Sequence, residues 1–342
     1  MADFRSDNTH GASPEILEAV ARANRGTVVS YGTDPFTARV EERCRELFEH
    51  DLKVFPVLTG TAGNSLSIAS MTPPWGAVFC HEQAHIHRDE MGAPEFFTGG
   101  AKVFPVAGAH GKLTPEALTA TIALLGDGAW SPKPSCVSVT EATEAGTVYT
   151  TDEVGALGEV ARRFGCRVHM DGARFANAVV SSGATPAELS WKAGVDVLVF
   201  GGTKNGALAV EVIVAFDLTL AAELAIRWHR AGHRLSKMRF LSAQFEAYLG
   251  HDLWLRNARH ANAMAARLAA GLGERVIHPV EANVVFARFP AKLAASLATQ
   301  GHQFFDWPVF GGDAFRLVAG FDTAEDDVDA LVRAVTSHSP VA

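Results

Sequence analysis

The sequence predicts an α/β protein: a mostly parallel central sheet flanked by helices on both faces, followed by a smaller C-terminal α+β domain. Three observations point there. Short apolar, β-rich runs alternate with helix-patterned segments as far as residue 216. A long helical region then occupies about residues 220–272. Beyond it, extended and helical patterns recur over a shorter stretch.

Taken in order, residues 14–24 read as a helix, with Ser13 as N-cap, Pro14 at the first helical position and Glu15 in the first turn. Residues 36–49 make a charged amphipathic helix. Residues 53–58 are a short β-rich run, followed by Thr59-Gly60-Thr61 and a helix to residue 71. Strands are expected at 77–80 and 102–105. A Thr-Pro-Glu start signal opens a helix at 114–125. A strand at 135–140, a helix at 151–164, a strand at 167–170, a helix at 185–193 and strands at 195–200 and 213–216 follow. Strands separated by helices imply right-handed crossovers and parallel neighbours. After the helical region, strands at 284–288 and 315–318 enclose a helix at 290–299. The spacing places a boundary near residue 250, giving a large domain of 1–250 and a small one of 251–342.

Composition narrows the function. The chain has 342 residues, 48% of them hydrophobic, which is ample for a large core. A formal net charge of -8 gives no general attraction for nucleic acid or anionic membrane. No apolar stretch approaches the roughly 20 residues that span a bilayer. The polar opening does not read as a secretory signal. Cys44, Cys80, Cys136 and Cys166 are scattered, with no CxxC pair. Neither a metal site nor a disulfide is expected, and a reducing, cytoplasmic setting fits.

The sharpest segment is Val195-Asp196-Val197-Leu198-Val199-Phe200-Gly201-Gly202-Thr203-Lys204-Asn205-Gly206. Lysine at the inner end of a buried strand is rare. Burial there favours its neutral amine, the form that attacks an aldehyde. A surface lysine in a glycine-rich turn is the competing reading. Arg167-Val168-His169-Met170-Asp171 is a second strand ending in an aspartate, one helix upstream of the lysine strand. Such a βαβ unit brings Asp171 and Lys204 to the same carboxyl edge, where open α/β sheets bind ligands. A strand spacing of about 4.8 Å suits one group on the pyridine nitrogen of a cofactor and another on its aldehyde carbon. An aspartate that merely caps the next helix is the alternative. Leu58-Thr59-Gly60-Thr61-Ala62-Gly63-Asn64 follows a strand and opens a helix. Free amides at such a start bind anions, and Thr61 adds a hydroxyl. The motif fits neither a Walker loop nor a dinucleotide fingerprint.

Three pieces, in this order and spacing, resemble the threonine aldolases of the fold-type I pyridoxal phosphate enzymes. They are Thr59-Gly60-Thr61-Ala62-Gly63-Asn64, His169-Met170-Asp171-Gly172-Ala173-Arg174 and Gly201-Gly202-Thr203-Lys204-Asn205. Arg5-Ser6-Asp7-Asn8, Ala84-His85-Ile86 and Arg316 also match, so the likeness spans about residues 4–322. The resemblance implies a fold-type I, PLP-dependent transferase-like architecture with pyridoxal 5′-phosphate as cofactor. It implies reversible cleavage of β-hydroxy-α-amino acids, such as L-threonine, L-allo-threonine or phenylserine, to glycine and an aldehyde. An aminotransferase or a β-eliminating lyase on the same fold is the alternative.

At matching positions the resemblance implies roles. Lys204 would hold the cofactor, Asp171 would pair its pyridine nitrogen, and His85 would lie flat on its ring. Gly60, Thr61 and Asn64 would hold the phosphate. Ser6, Arg174 and Arg316 would grip the substrate carboxylate, with Arg174 also near the cofactor. Tyr31 and Arg239 resemble positions that a neighbouring subunit contributes, Tyr31 to the substrate and Arg239 to the cofactor. A homo-oligomer is therefore implied, a dimer at least and a tetramer by likeness. Each residue has a plainer reading. His81, His85 and His87 share one segment, and only the resemblance selects His85. Arg316, Arg174 and Arg239 read equally as solvated charges, and Tyr31 as packing.

Two departures bear on the substrate. Many family members carry a histidine where this chain has Glu144. A stretch usually rich in glycine reads Leu235-Ser236-Lys237 here. For the group that takes the β-hydroxyl proton, His85 is the first candidate and Glu144 the second.

Overall fold

The computed structural model describes residues 3–126 and 128–337. The opening segment is fixed at once. Phe4 N–H donates to the Gln303 carbonyl and Phe4 O accepts from Val318 N–H, both at 2.8 Å, and the Ser6 hydroxyl caps a short turn at Asp7–Thr9. Helices α1 (Pro14–Ala23) and α2 (Pro35–Phe48) each begin at proline, where the missing N–H costs nothing. Strand β1 (Lys53–Val57) leads into α3 (Gly60–Met71), which Thr59 caps. Next come β2 (Gly76–His81), the short α4 (His85–Arg88), α5 (Ala93–Thr98) and β3 (Lys102–Val106). Then follow α6 (Pro115–Ala123), β4 (Lys133–Thr140) and α7 (Thr151–Arg163), opened by a Thr150/Glu153 capping box. The site elements are β5 (Arg167–Gly172), α8 (Phe175–Ser182), β6 (Val197–Gly201) and β7 (Glu211–Ala215). Helices α9 (Ala221–Arg230), α10 (Arg239–Leu249) and α11 (Leu253–Leu272) make up the helical region. The chain closes with β8 (Val284–Arg288), α12 (Ala291–Thr299), β9 (Phe305–Asp306), β10 (Ala314–Val318) and α13 (Glu325–Ser337).

The main sheet runs β1-β7-β6-β5-β4-β2-β3. Strands β6, β5, β4, β2 and β3 are mutually parallel; β7 is antiparallel to both β1 and β6. A second, antiparallel sheet runs β8-β10-β9. One core lies along the main sheet, centred on Phe48, Phe175, Phe200, Phe245, Tyr248 and Trp254. A second packs Phe4, Leu268, Phe289, Phe315, Leu317 and Leu331 around the small sheet. Among the described residues no helix is long and apolar enough to cross a membrane.

The helix expected at 185–193 is absent. Residues 184–190 turn irregularly into a short 3-10 stretch, Trp191–Ala193. The crossover helix is α8, and Gly183, at φ 68°, ends it. The reason is tertiary: Trp191 Nε1 donates to Phe48 O at 2.7 Å and its ring stacks on His50. Elements α4, α5, β9 and α13 appear where no element is expected. Residues 1–2 of the opening segment and 338–342 of the expected small domain lie outside the described residues.

Candidate active site

Strands β5 and β6 are parallel neighbours, with Asp171 opposite Val199. Asp171 near the end of β5 and Lys204 just past the end of β6 therefore reach the same edge. Lys204 sits on a one-turn 3-10 stretch, Thr203–Asn205. Four contacts hold that turn. Asn205 Nδ2 donates to Tyr248 Oη and to Trp254 O, both at 2.8 Å. Asn257 Nδ2 donates to Asn205 O at 2.9 Å, and Gly202 N–H donates to Glu211 Oε2 at 2.7 Å. Gly206 is required: its φ is 106°, and a Cβ would stand 2.4 Å from Ser13 Oγ. Burial, aided by Arg174, lowers the proton affinity of Lys204, although Asp7, Asp171 and Glu211 oppose it. The shift is toward the neutral amine, the direction expected from the sequence.

Asp171 is 3% exposed. Its Oδ1 accepts from Ala173 N–H at 3.0 Å and its Oδ2 from Asn64 Nδ2 at 2.9 Å. Asn64, which the resemblance groups with Gly60 and Thr61, lines the same cavity as they do. It is buried one turn inside α3, where its side chain reaches Asp171 and Glu90 Oε1 (2.9 Å) rather than the helix start. Glu90 Oε1 also meets His85 Nδ1 at 2.9 Å. The chain Asp171–Asn64–Glu90–His85 links the end of β5 to α4. Through this contact Glu90 raises the pKa of His85, and the Nδ1 bond leaves Nε2 as the ring nitrogen without a protein partner. At the start of α3, the Thr59 hydroxyl accepts from Ala62 N–H and its carbonyl from Gly63 N–H. The Gly60 and Thr61 N–H groups precede the first intrahelical bond, so they are the orphan donors of the helix.

Glu144 is half-buried. Oε1 accepts from His85 N–H at 2.8 Å and from the Thr140 hydroxyl at 3.0 Å, while Oε2 is buried without a partner. Burial and then Asp171 raise its pKa to about 7.

The arginines divide. Arg174 Nε and Nη2 clasp the Asp7 carboxylate at 2.8 and 3.1 Å. Burial opposes ionisation of Asp7, but Arg174 and Lys204 outweigh it and hold its carboxyl below the ordinary range. Arg174 is therefore engaged with Asp7. Arg316 lies over the Trp307 ring, 4.5 Å from the centroid, with Nη2 on Arg5 O at 3.3 Å and a buried Nε without a partner. Burial pushes its pKa down to about 10, so it remains a cation at neutral pH. The Ser6 hydroxyl caps Asn8 N–H at 3.2 Å.

A cavity of about 260 Å³ gathers Gly60, Thr61, Asn64, Asp171, Lys204 and Glu211. A second, of about 550 Å³, carries Ser6, Phe305, Trp307, Val309 and Arg316. His85, Glu144, Arg174 and Lys204 line both. Tyr31 and Arg239 line neither. Arg239 Nη1 donates to Gly26 O, and Tyr31 N–H donates to Ser236 O, so the two segments adjoin on the surface. A groove of about 600 Å³ between α1, α2 and α10 is larger, but ion pairs such as Arg39–Glu246 and Arg256–Glu15 wall it. The sequence reading misses Asp7, Glu90 and Glu211. Glu211, a lone acid in an apolar run, is the one of the three that carries a local signal.

A family model described as beta-eliminating lyase matches residues 3–290. The chain is 45% identical over 335 residues to low specificity L-threonine aldolase of Pseudomonas aeruginosa, covering 96% of each. It is 42% identical over 341 residues to the enzyme of that name from another Pseudomonas strain, covering 98% of each. The structure matches threonine aldolase of Leishmania major with a TM-score of 0.93 at 26% identity, covering 98% of this chain and 99% of that one. N-succinyldiaminopimelate aminotransferase of Mycobacterium tuberculosis, at 16% identity and a TM-score of 0.74 over 98% of this chain and 93% of its own, shares the fold. This architecture is that of the fold-type I enzymes. With its lysine and aspartate at one sheet edge and its length matched almost throughout, the chain belongs to the beta-eliminating lyase family, among the threonine aldolases.

Proposed function

We propose that the chain is a pyridoxal-phosphate-dependent aldehyde-lyase that reversibly splits β-hydroxy-α-amino acids, such as threonine and phenylserine, into glycine and an aldehyde. The observation that carries this reading is the joining of two cavities at Lys204, His85 and Glu144: one bears Asp171 and the Gly60–Thr61 amides, the other Arg316. The donor set suits pyridoxal phosphate. Orphan amides at the start of α3 suit a phosphate, a buried carboxylate suits a pyridinium, and a lysine of lowered proton affinity suits an aldehyde. When bound, that group supplies an electron sink for the carbon left when the Cα–Cβ bond breaks.

The chain's own residues do the rest. Lys204 supplies the amine that anchors the cofactor. Arg316, with an unpartnered Nε and an aromatic shelf beneath it, takes the substrate carboxylate with Ser6 alongside. Trp307 and Phe305 give the larger cavity an apolar wall for a side chain. The β-hydroxyl proton goes to His85 Nε2 or to Glu144 Oε2, the two unpartnered acceptor atoms at the junction of the cavities. Tyr31 and Arg239 belong to a subunit face. Val28, Val29, Tyr31 and Leu58 are exposed apolar residues near them, which supports a homodimer or a tetramer built from it. Four buried free thiols suit a reducing, cytoplasmic setting. The turn before α11 is the natural division between a large domain of 1–250 and a small one of 251–342.

Incubation of the cofactor-loaded protein with threonine and with phenylserine tests the reading. Glycine with acetaldehyde, and glycine with benzaldehyde, are the expected products. A keto acid without glycine would replace this reading with the aminotransferase or β-elimination alternative.

A further inference from the structure

Three carboxyls line the smaller cavity, and Glu211 is the one without a task in the cleavage chemistry; the others are Asp171 and Glu144. Glu211 heads β7, in register with Val57 of β1 on one side and Gly201 of β6 on the other. Strand β1 continues into the Gly60–Thr61 amides and β6 into the Lys204 turn, so Glu211 stands between the two. Val210, Val212, Ile213 and Val214 around it in sequence are completely buried apolar residues. A carboxyl in such a run is costly unless it is hydrogen-bonded or its proton is used. Its Oε2 takes the Gly202 N–H at 2.7 Å. Gly202 is closely packed, since a Cβ there would meet Val210 O at 2.7 Å. The carboxyl is therefore locked to the turn that carries Lys204.

The charges facing this pair are Asp171 from β5, Arg174 just beyond it, and Asp7 from the opening segment. From α10 the neighbours are Phe245 and Gln244, both uncharged. Burial pushes Glu211 up to about 7 and pulls Lys204 down, while each stabilises the other's charge. The shifts run in opposite directions, toward a neutral carboxyl on Glu211 and a neutral amine on Lys204.

We propose that Glu211 accepts the proton that Lys204 must lose before it can take up its cofactor. One proton passes from the Lys204 ammonium, across the cavity that both groups line, to the Glu211 carboxylate, leaving a neutral amine and a neutral carboxyl. The amine then attacks the cofactor aldehyde, a carbon–nitrogen double bond forms, and one water leaves. This rests on the reading of Lys204 as the cofactor lysine.

The test is the rate at which cofactor-free protein takes up pyridoxal 5′-phosphate. It is followed by the rise of imine absorbance from about pH 6 to about pH 9, across the range where such groups titrate. Glu211→Gln keeps an oxygen for the Gly202 N–H but holds no proton. Its uptake rate should fall about tenfold or more near pH 7 and approach that of the parent at the alkaline end, where Lys204 loses its proton to water unaided. Its thermal midpoint should be unchanged. A parent-like rate and pH profile in Glu211→Gln would overturn the proposal, as would a deficit of equal size at every pH, which marks a purely structural role. Borohydride reduction and peptide mapping separate the two levels. A pyridoxyl label on Lys204 together with an unchanged Glu211→Gln profile defeats the Glu211 assignment alone. A label on another lysine defeats the Lys204 reading and this one with it.

Discussion

At Glu144 a single side chain sits between two duties. Oε1 holds the His85 backbone and the Thr140 hydroxyl, and Oε2 is free within the protein. Because its pKa is raised to about 7, the carboxyl is neutral below that pH and ionised above it. A proton-accepting Glu144 therefore makes cleavage rise as pH increases through about 7 and fade below it. Glu144→Gln should lower kcat for phenylserine about tenfold to a hundredfold on the alkaline side and flatten that limb. Glycine binding, read from cofactor absorbance, should stay close to the parent's. An unaltered rate and an unaltered pH profile would leave the proton to His85. Sequence shows Glu144 as a glutamate standing in for an expected histidine, but not its environment. That environment comes from Asp171 and Thr140 on the ends of two other strands. Asp7 and Glu90 escape for the same reason. Each is polar in a polar segment, and only folding pairs it with Arg174 or with His85 and Asn64. Lys204 and Asp171 are legible because each breaks the pattern of its own apolar strand.

Elements matter through how closely β5, β6 and α3 approach. Gly201 closes β6 with no room for a side chain: a Cβ there would lie 2.5 Å from the Ala173 carbonyl oxygen. A backbone carbonyl just past the adjacent strand cannot rotate away as a side chain would. Gly201→Ala should cost about 1–3 kcal/mol through overpacking and displace the turn bearing Lys204. A lower thermal midpoint with a weaker Kd for pyridoxal phosphate is expected. An unchanged Kd would show that the turn is positioned independently of β6. The strands from β1 to β7 are legible as short apolar runs. The reversal of β7 is not, because antiparallel and parallel buried strands have the same apolar pattern. Helix α8 is hidden because five of its eight residues are buried, leaving little amphipathic contrast. Residues 185–193 carry helix-favouring residues that Trp191 overrules by docking on Phe48 and His50.

At the scale of the whole molecule, the opening segment joins the two sheets. Phe4 is 1% exposed in the core of the small sheet, and Asp7 pairs with Arg174 at the edge of the large one. Phe4→Ala should destabilise by about 3–5 kcal/mol, the usual loss for a buried aromatic. It should also raise KM for the amino acid more than Kd for the cofactor, because Ser6 and Arg316 border this segment. A loss of stability with an unchanged KM would separate the segment from substrate binding. No local pattern in residues 3–8 signals this docking, since the partners are Gln303 and Val318. That distance along the chain sets an order in time. On the ribosome, Phe4 emerges before β1, yet the backbone groups that receive it, Gln303 and Val318, follow β7. A nascent chain can fold β1 through β7 and already bring Lys204 beside Asp171, while its leading residues wait undocked. The docking of Phe4 then follows the folding of the large sheet and waits for β10 to be made.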